Sequence, residues 1–122
     1  MTEKEYTPII IVDLAKDRIR IHRSTINALQ NPTHIMLIVN PIDRTIGIMH
    51  GKEGDLGVHK VKSVGRNCYE LYSRPLTQKF RQVCPEWIDT GKYKMVGTIV
   101  SGQLVAEFDM CQAEFTGIGK VT

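Results

Sequence analysis

The sequence predicts an α+β domain that is mostly β, and three observations carry that prediction. Residues 18–22 alternate, with Ile19 and Ile21 facing one way and Arg18, Arg20 and His22 the other, the period-2 signature of a half-buried strand. Residues 34–39 are a nearly unbroken apolar run. Asn40-Pro41-Ile42-Asp43 then carries turn chemistry, and residues 45–49 return with Ile46 and Ile48 on one face, which reads as a hairpin. A short helix fits between these stretches, and the same order of strand, helix and hairpin recurs in the second half of the chain.

In chain order, residues 1–6 read as a frayed terminus, and Pro8 opens the run Ile9-Ile10-Ile11-Val12, a strand whose successive β-branched residues need cover on both sides. Residues 13–17 turn the chain into the strand at 18. Ser24 is placed to cap a short helix carrying Ile26 and Leu29, and Asn31-Pro32 ends it because proline cannot continue a helix. Gly51, Gly54 and Gly57 mark a flexible connection. Residues 59–64 form the next strand, with mixed alternation, and 65–67 a turn. Residues 68–72 form a strand in which Tyr69 and Leu71 alternate with Glu70. Ser73 caps a second helix over 74–84, with Pro75 in its first turn and Leu76, Phe80 and Val83 at helical spacing; Pro85 stops it. Trp87 and Ile88, in the connection that follows, fold back as a lid over the core. Strands over 93–100 and 104–110 meet at Ser101-Gly102, and Leu104, Ala106, Phe108 and Met110 alternate with Val105, Glu107 and Asp109. The expected organisation is one compact domain over 7–111. Two units, about 7–51 and 58–111, share its core because neither could bury its own sheet faces, and 112–122 is a loosely held tail.

Composition narrows the function classes. A chain of 122 residues with 42% hydrophobic and 24% charged residues is ordinary for a globular domain and leaves no room for a separate catalytic domain. No run of about 18 apolar residues exists to span a membrane, and the polar start differs from a signal peptide, so a cytoplasmic location is expected. Cys68, Cys84 and Cys111 are odd in number and widely spaced, which suggests reduced, mostly packed thiols. The net charge of +3 suits nucleic acid without requiring it.

The stretch Asp13-Leu-Ala-Lys-Asp-Arg-Ile-Arg-Ile-His-Arg-Ser, followed by an apolar helix, sits in a strand-strand-helix-strand-strand order. That arrangement resembles the AbrB/SpoVT-like swapped-hairpin fold of bacterial transcription regulators. Two units in one chain further resemble the MraZ branch. The resemblance implies two units interlocked as a swapped-hairpin barrel and a small DNA-binding transcriptional regulator. Each MraZ unit carries Asp-x-x-x-Arg at the turn into its second strand, and that arginine is associated with DNA contact. Here Asp13 and Arg18 are one residue further apart, and the second unit has Ser63-Val-Gly-Arg66 with no acid.

The candidate nucleic-acid contacts are Lys16, Arg18, Arg20 and Arg23 in the first unit and Lys62 and Arg66 in the second. Such a ridge positions phosphates while one arginine reads a guanine edge; alternatively it is a solvated strand face whose charges discourage edge pairing. The partners expected are double-stranded DNA, or else a protein partner or second copy bound by an interaction module that kept the fold and lost DNA binding. His22, His34, His50 and His59 have no metal-ligand spacing, although His50 and His59 flank the glycine loop and could meet. That loop lacks the residues of a phosphate-binding P-loop. Cys84 has no histidine base indicated, and Glu70, Glu107 and Asp109 form no recognisable acid/base pair. No catalytic residue, cofactor or metal is therefore expected.

Overall fold

The computed structural model describes residues 6–64, 67–100 and 102–119. The first half contains strands β1 (Ile9–Asp13) and β2 (Arg18–His22), helix α1 (Arg23–Ala28), and strands β3 (His34–Asn40) and β4 (Thr45–His50). Then come β5 (His59–Lys60), β6 (Ser63–Val64), β7 (Cys68–Tyr72), helix α2 (Arg74–Val83), β8 (Gly91–Val96), β9 (Thr98–Ile99), β10 (Val105–Asp109) and β11 (Glu114–Ile118). The strands form two antiparallel sheets. Sheet A has the order β11-β8-β1-β2-β7-β6, and sheet B the order β5-β3-β4-β10-β9. They are not closed into the expected barrel, because among the described residues no ladder joins the edge strands of sheet A, β11 and β6, to those of sheet B, β5 and β9; the chain passes from one sheet to the other at Val61-Lys62 and at Gly97.

Alternation dictates what is buried. Ile10, Val12, Ile19, Ile21 and Met95 point inward from sheet A, and Ile35, Ile46, Ile48, Ala106 and Phe108 from sheet B; Ile26 and Phe80 join them from the helices. These are one core, shared by both halves of the chain. Pairing crosses between the halves: β1 lies beside β8, β2 beside β7, β4 beside β10 and β5 beside β3. Asn40 makes the β3–β4 turn by accepting from the Ile42 and Asp43 amides at 3.0 and 3.1 Å. Ser73 caps α2, accepting from the Leu76 amide at 3.3 Å. Trp87 stacks on Tyr93 with centroids 4.3 Å apart and so covers the core, whereas Ile88 is exposed.

Several expectations are corrected. α1 is capped by His22, whose Nδ1 accepts from the Ser24 amide at 3.1 Å, because β2 runs straight into the helix; the Ser24 hydroxyl instead donates to the Thr7 carbonyl. The strand expected over 59–64 is split into β5 and β6, and the one over 93–100 into β8 and β9. The segment expected to be a loose tail supplies β11, which pairs with β8, and the Gly119 amide donates to the Thr90 carbonyl at 2.7 Å. The Ser101-Gly102 turn is described only at Gly102, which has φ +78°; Ser101 lies outside the described residues.

Candidate nucleic-acid interface

The outer face of sheet A carries the side chains that alternate away from the core. Register places Ile11 opposite Arg20 on one side and Lys94 on the other, and Asp13 opposite Arg18 and Lys92. Arg20 in turn faces Glu70, and Arg18 faces Tyr72. Directly opposed residues share a sheet face, so Arg18, Arg20, Lys92 and Lys94 are brought together there with Asp13, Glu70 and Tyr72.

The two strand arginines are held differently. Arg18, with a side chain 13% exposed, donates from Nη2 to Asp13 at 3.0 Å and lies 3.5 Å from Glu70. Arg20, 45% exposed, donates from Nε to Glu70 at 2.6 Å. Its Nη1 and Nη2 have no hydrogen-bond partner among the described residues. Burial pushes the Glu70 carboxyl up, but the Arg20 hydrogen bond and the charges of Arg20 and Arg18 outweigh it and hold the group below its ordinary range. The Glu70 hydrogen bond raises the already high pKa of Arg20. The acid therefore lies beneath the guanidinium rather than beside it in solvent: the Glu70 side chain is only 8% exposed.

Lys16 is exposed in a short 3-10 turn, Arg23 is the exposed first residue of α1, and Lys62 is exposed between β5 and β6. Arg66 lies outside the described residues. Lys92 and Lys94 were not among the sequence candidates, although their alternation with Tyr93 and Met95 is visible in the sequence and could have found them. Beside Arg20 the face dips into a hollow of about 220 Å³ with Ile9 and Ile11 at its floor and His22, Asn67 and Cys68 around it.

A second hollow, of about 260 Å³, lies among Asp17, Arg74, Arg81 and Asp89. Arg81 is spent there on the fold, bonding Asp17, Asp89 and the Leu14 carbonyl. His50 and His59 each stand opposite Ile35 from different neighbours of β3, so they do not meet, and no cluster of three metal-ligating residues is present among the described residues. Cys84 is buried, and that burial pushes its thiol up, with Arg44 opposing; Arg44 also pairs with Glu86. Cys68 is half-buried and Cys111 is exposed. A disulfide-exchange reagent is therefore expected to titrate Cys111 in the native protein and to reach Cys84 orders of magnitude more slowly, through opening of the core. Equal rates, read by peptide mass spectrometry, would contradict this packing.

Comparison with known proteins finds no matching family model, no matching curated protein and no matching solved structure. No helix among the described residues is long and apolar enough to cross a membrane.

Proposed function

We propose that the chain is a small, non-enzymatic DNA-binding regulator of AbrB/MraZ-like type, with the outer face of sheet A as its contact surface. One observation carries the reading: Arg20 stands in the middle of a face shared with Arg18, Lys92 and Lys94, with its side chain 45% exposed and its Nη groups without a hydrogen-bond partner among the described residues. A guanidinium anchored at Nε and open at its fork suits phosphate or base-edge recognition. The swapped-hairpin assignment is supported by the exchange in which β1 pairs with β8 and β5 with β3, each first strand lying against the other unit's third. Binding to DNA of random sequence is expected to weaken steeply with added salt, and Arg20→Ala to lower both the affinity and the salt slope. Salt-independent binding, or none at micromolar protein, would refute the reading.

A second reading, an interaction module without DNA binding, is favoured by the outer face of sheet B. Val105, Met49 and Met36 stand in one row there and Ile38 in the next, with Ile38 48% exposed. On this reading the chain self-associates, and Ile38→Glu reverses the concentration dependence of its sedimentation coefficient while the monomer stays folded.

A further inference from the structure

We infer that the hollow beside Arg20 seats one unstacked base of a single-stranded nucleic acid, an inference that rests on the nucleic-acid reading above. β2 is the fourth of six strands, and at about 4.8 Å per strand the sheet spans about 24 Å, whereas the major groove of a duplex is about 12 Å wide. Laid flat, a sheet of that width rests on the phosphate ridges of an intact duplex and does not enter its major groove. Bases that leave the stack reach an open sheet without this obstacle.

The hollow has the chemistry for such a base. Ile9 and Ile11 give an apolar floor against which a ring face loses water, and Arg20, His22 and Asn67 give polar groups at its rim. Its volume of about 220 Å³ is below the roughly 300–1,000 Å³ of sites that enclose whole drug-sized ligands, which suits one ring with its sugar left outside. Glu70 fixes the Arg20 Nε, so the guanidinium plane is set before a ligand arrives, and its open Nη groups can bond a base edge or stack on its face. His22 uses Nδ1 as the acceptor for the Ser24 amide, which leaves Nε2 as the donor of the neutral ring. Lys94, opposite Ile11 on β8, provides a cation for the phosphates on the far side of the floor. Asn67 lies at the start of the short β6–β7 hairpin's return strand, where its carbonyl is already used by the Arg23 amide at 2.8 Å, so the hollow's end wall is tied to α1.

The test is fluorescence anisotropy at low salt with the intact protein and three probes of about 12 nucleotides, a length within the range of single-strand sites: oligo-dT, the same strand paired with oligo-dA, and a strand of the same length made of abasic sites. Oligo-dT is expected to bind at least about tenfold more tightly than the abasic strand and more tightly than the duplex. Ile11→Asn is expected to erase the difference between oligo-dT and the abasic strand, while Arg20→Gln weakens oligo-dT most; circular dichroism confirms that each variant is folded. Equal binding of oligo-dT and the abasic strand, or a preference for the duplex, overturns the base seat and leaves the DNA-binding function standing. Failure of all three probes to bind overturns both.

Discussion

Gly97→Ala is expected to destabilise the protein by about 3 kcal/mol, the upper end of what overpacking a core costs. Gly97 lies at the corner where the chain leaves β8 in sheet A and enters β9 in sheet B, and its amide donates to the Pro8 carbonyl at 2.8 Å. A Cβ there would stand 2.5 Å from the Glu107 carbonyl oxygen and 2.7 Å from two ring carbons of Phe108. Neither neighbour yields easily: the first is backbone in the middle of β10, and the second is a ring that is fully buried in the shared core. Gly47→Ala is the matched comparison. Its Cβ would meet Val105 of the neighbouring β10 at 3.5 Å, ordinary van der Waals contact, so its effect should stay within about 0.5 kcal/mol of zero. Urea denaturation measures both, and a Gly97→Ala midpoint indistinguishable from that of Gly47→Ala would show that the corner is not tightly packed.

The same corner shows why the fold was partly legible. Strand β7 and helix α2 were readable with nearly correct ends because each carries its own signal: Tyr69 and Leu71 alternate with Glu70, and Ser73, Pro75 and Pro85 bracket a helical spacing. The breaks at Val61-Lys62 and Gly97 were not readable as changes of sheet, since a strand that bends between two partners has the same local pattern as one that does not. β11 escaped for a different reason. It is an edge strand whose Glu114, Phe115, Thr116 and Ile118 are all exposed, held by backbone pairing to β8 and by the Phe115 ring tilted against Tyr93, and it shows no buried side to detect. At the candidate site, period 2 placed Arg18 and Arg20 on one face correctly. Their partners Asp13 and Glu70, and the neighbouring Lys92 and Lys94, come from other strands whose register is set by tertiary pairing.

That pairing separates stability from binding at Glu70. Glu70→Gln is expected to lower stability by about 1–2 kcal/mol at neutral pH, less than a fully buried ion pair would lose because Arg20 is well exposed. The sign with pH follows from the depressed pKa of the native carboxyl. Its stabilisation is fully present above the unfolded-state value of about 4.3 and is lost as pH falls through the lower native value, where the native carboxyl also becomes protonated. The stability curves of the parent and the variant should therefore run parallel near neutrality and converge in acid; a constant gap down to the lowest pH at which both stay folded would mean that the carboxylate charge is not the source. Binding should move the other way. The substitution removes the negative charge that neutralises Arg18 and Arg20 and takes the net charge from +3 to +4, so if phosphates approach this face their affinity should rise severalfold and the salt slope should steepen. A purely structural arginine–glutamate network predicts weaker or unchanged binding in the less stable variant. One substitution, read by denaturation and by a salt titration of DNA binding, thus distinguishes a face that uses its arginines on a ligand from one that uses them only on itself.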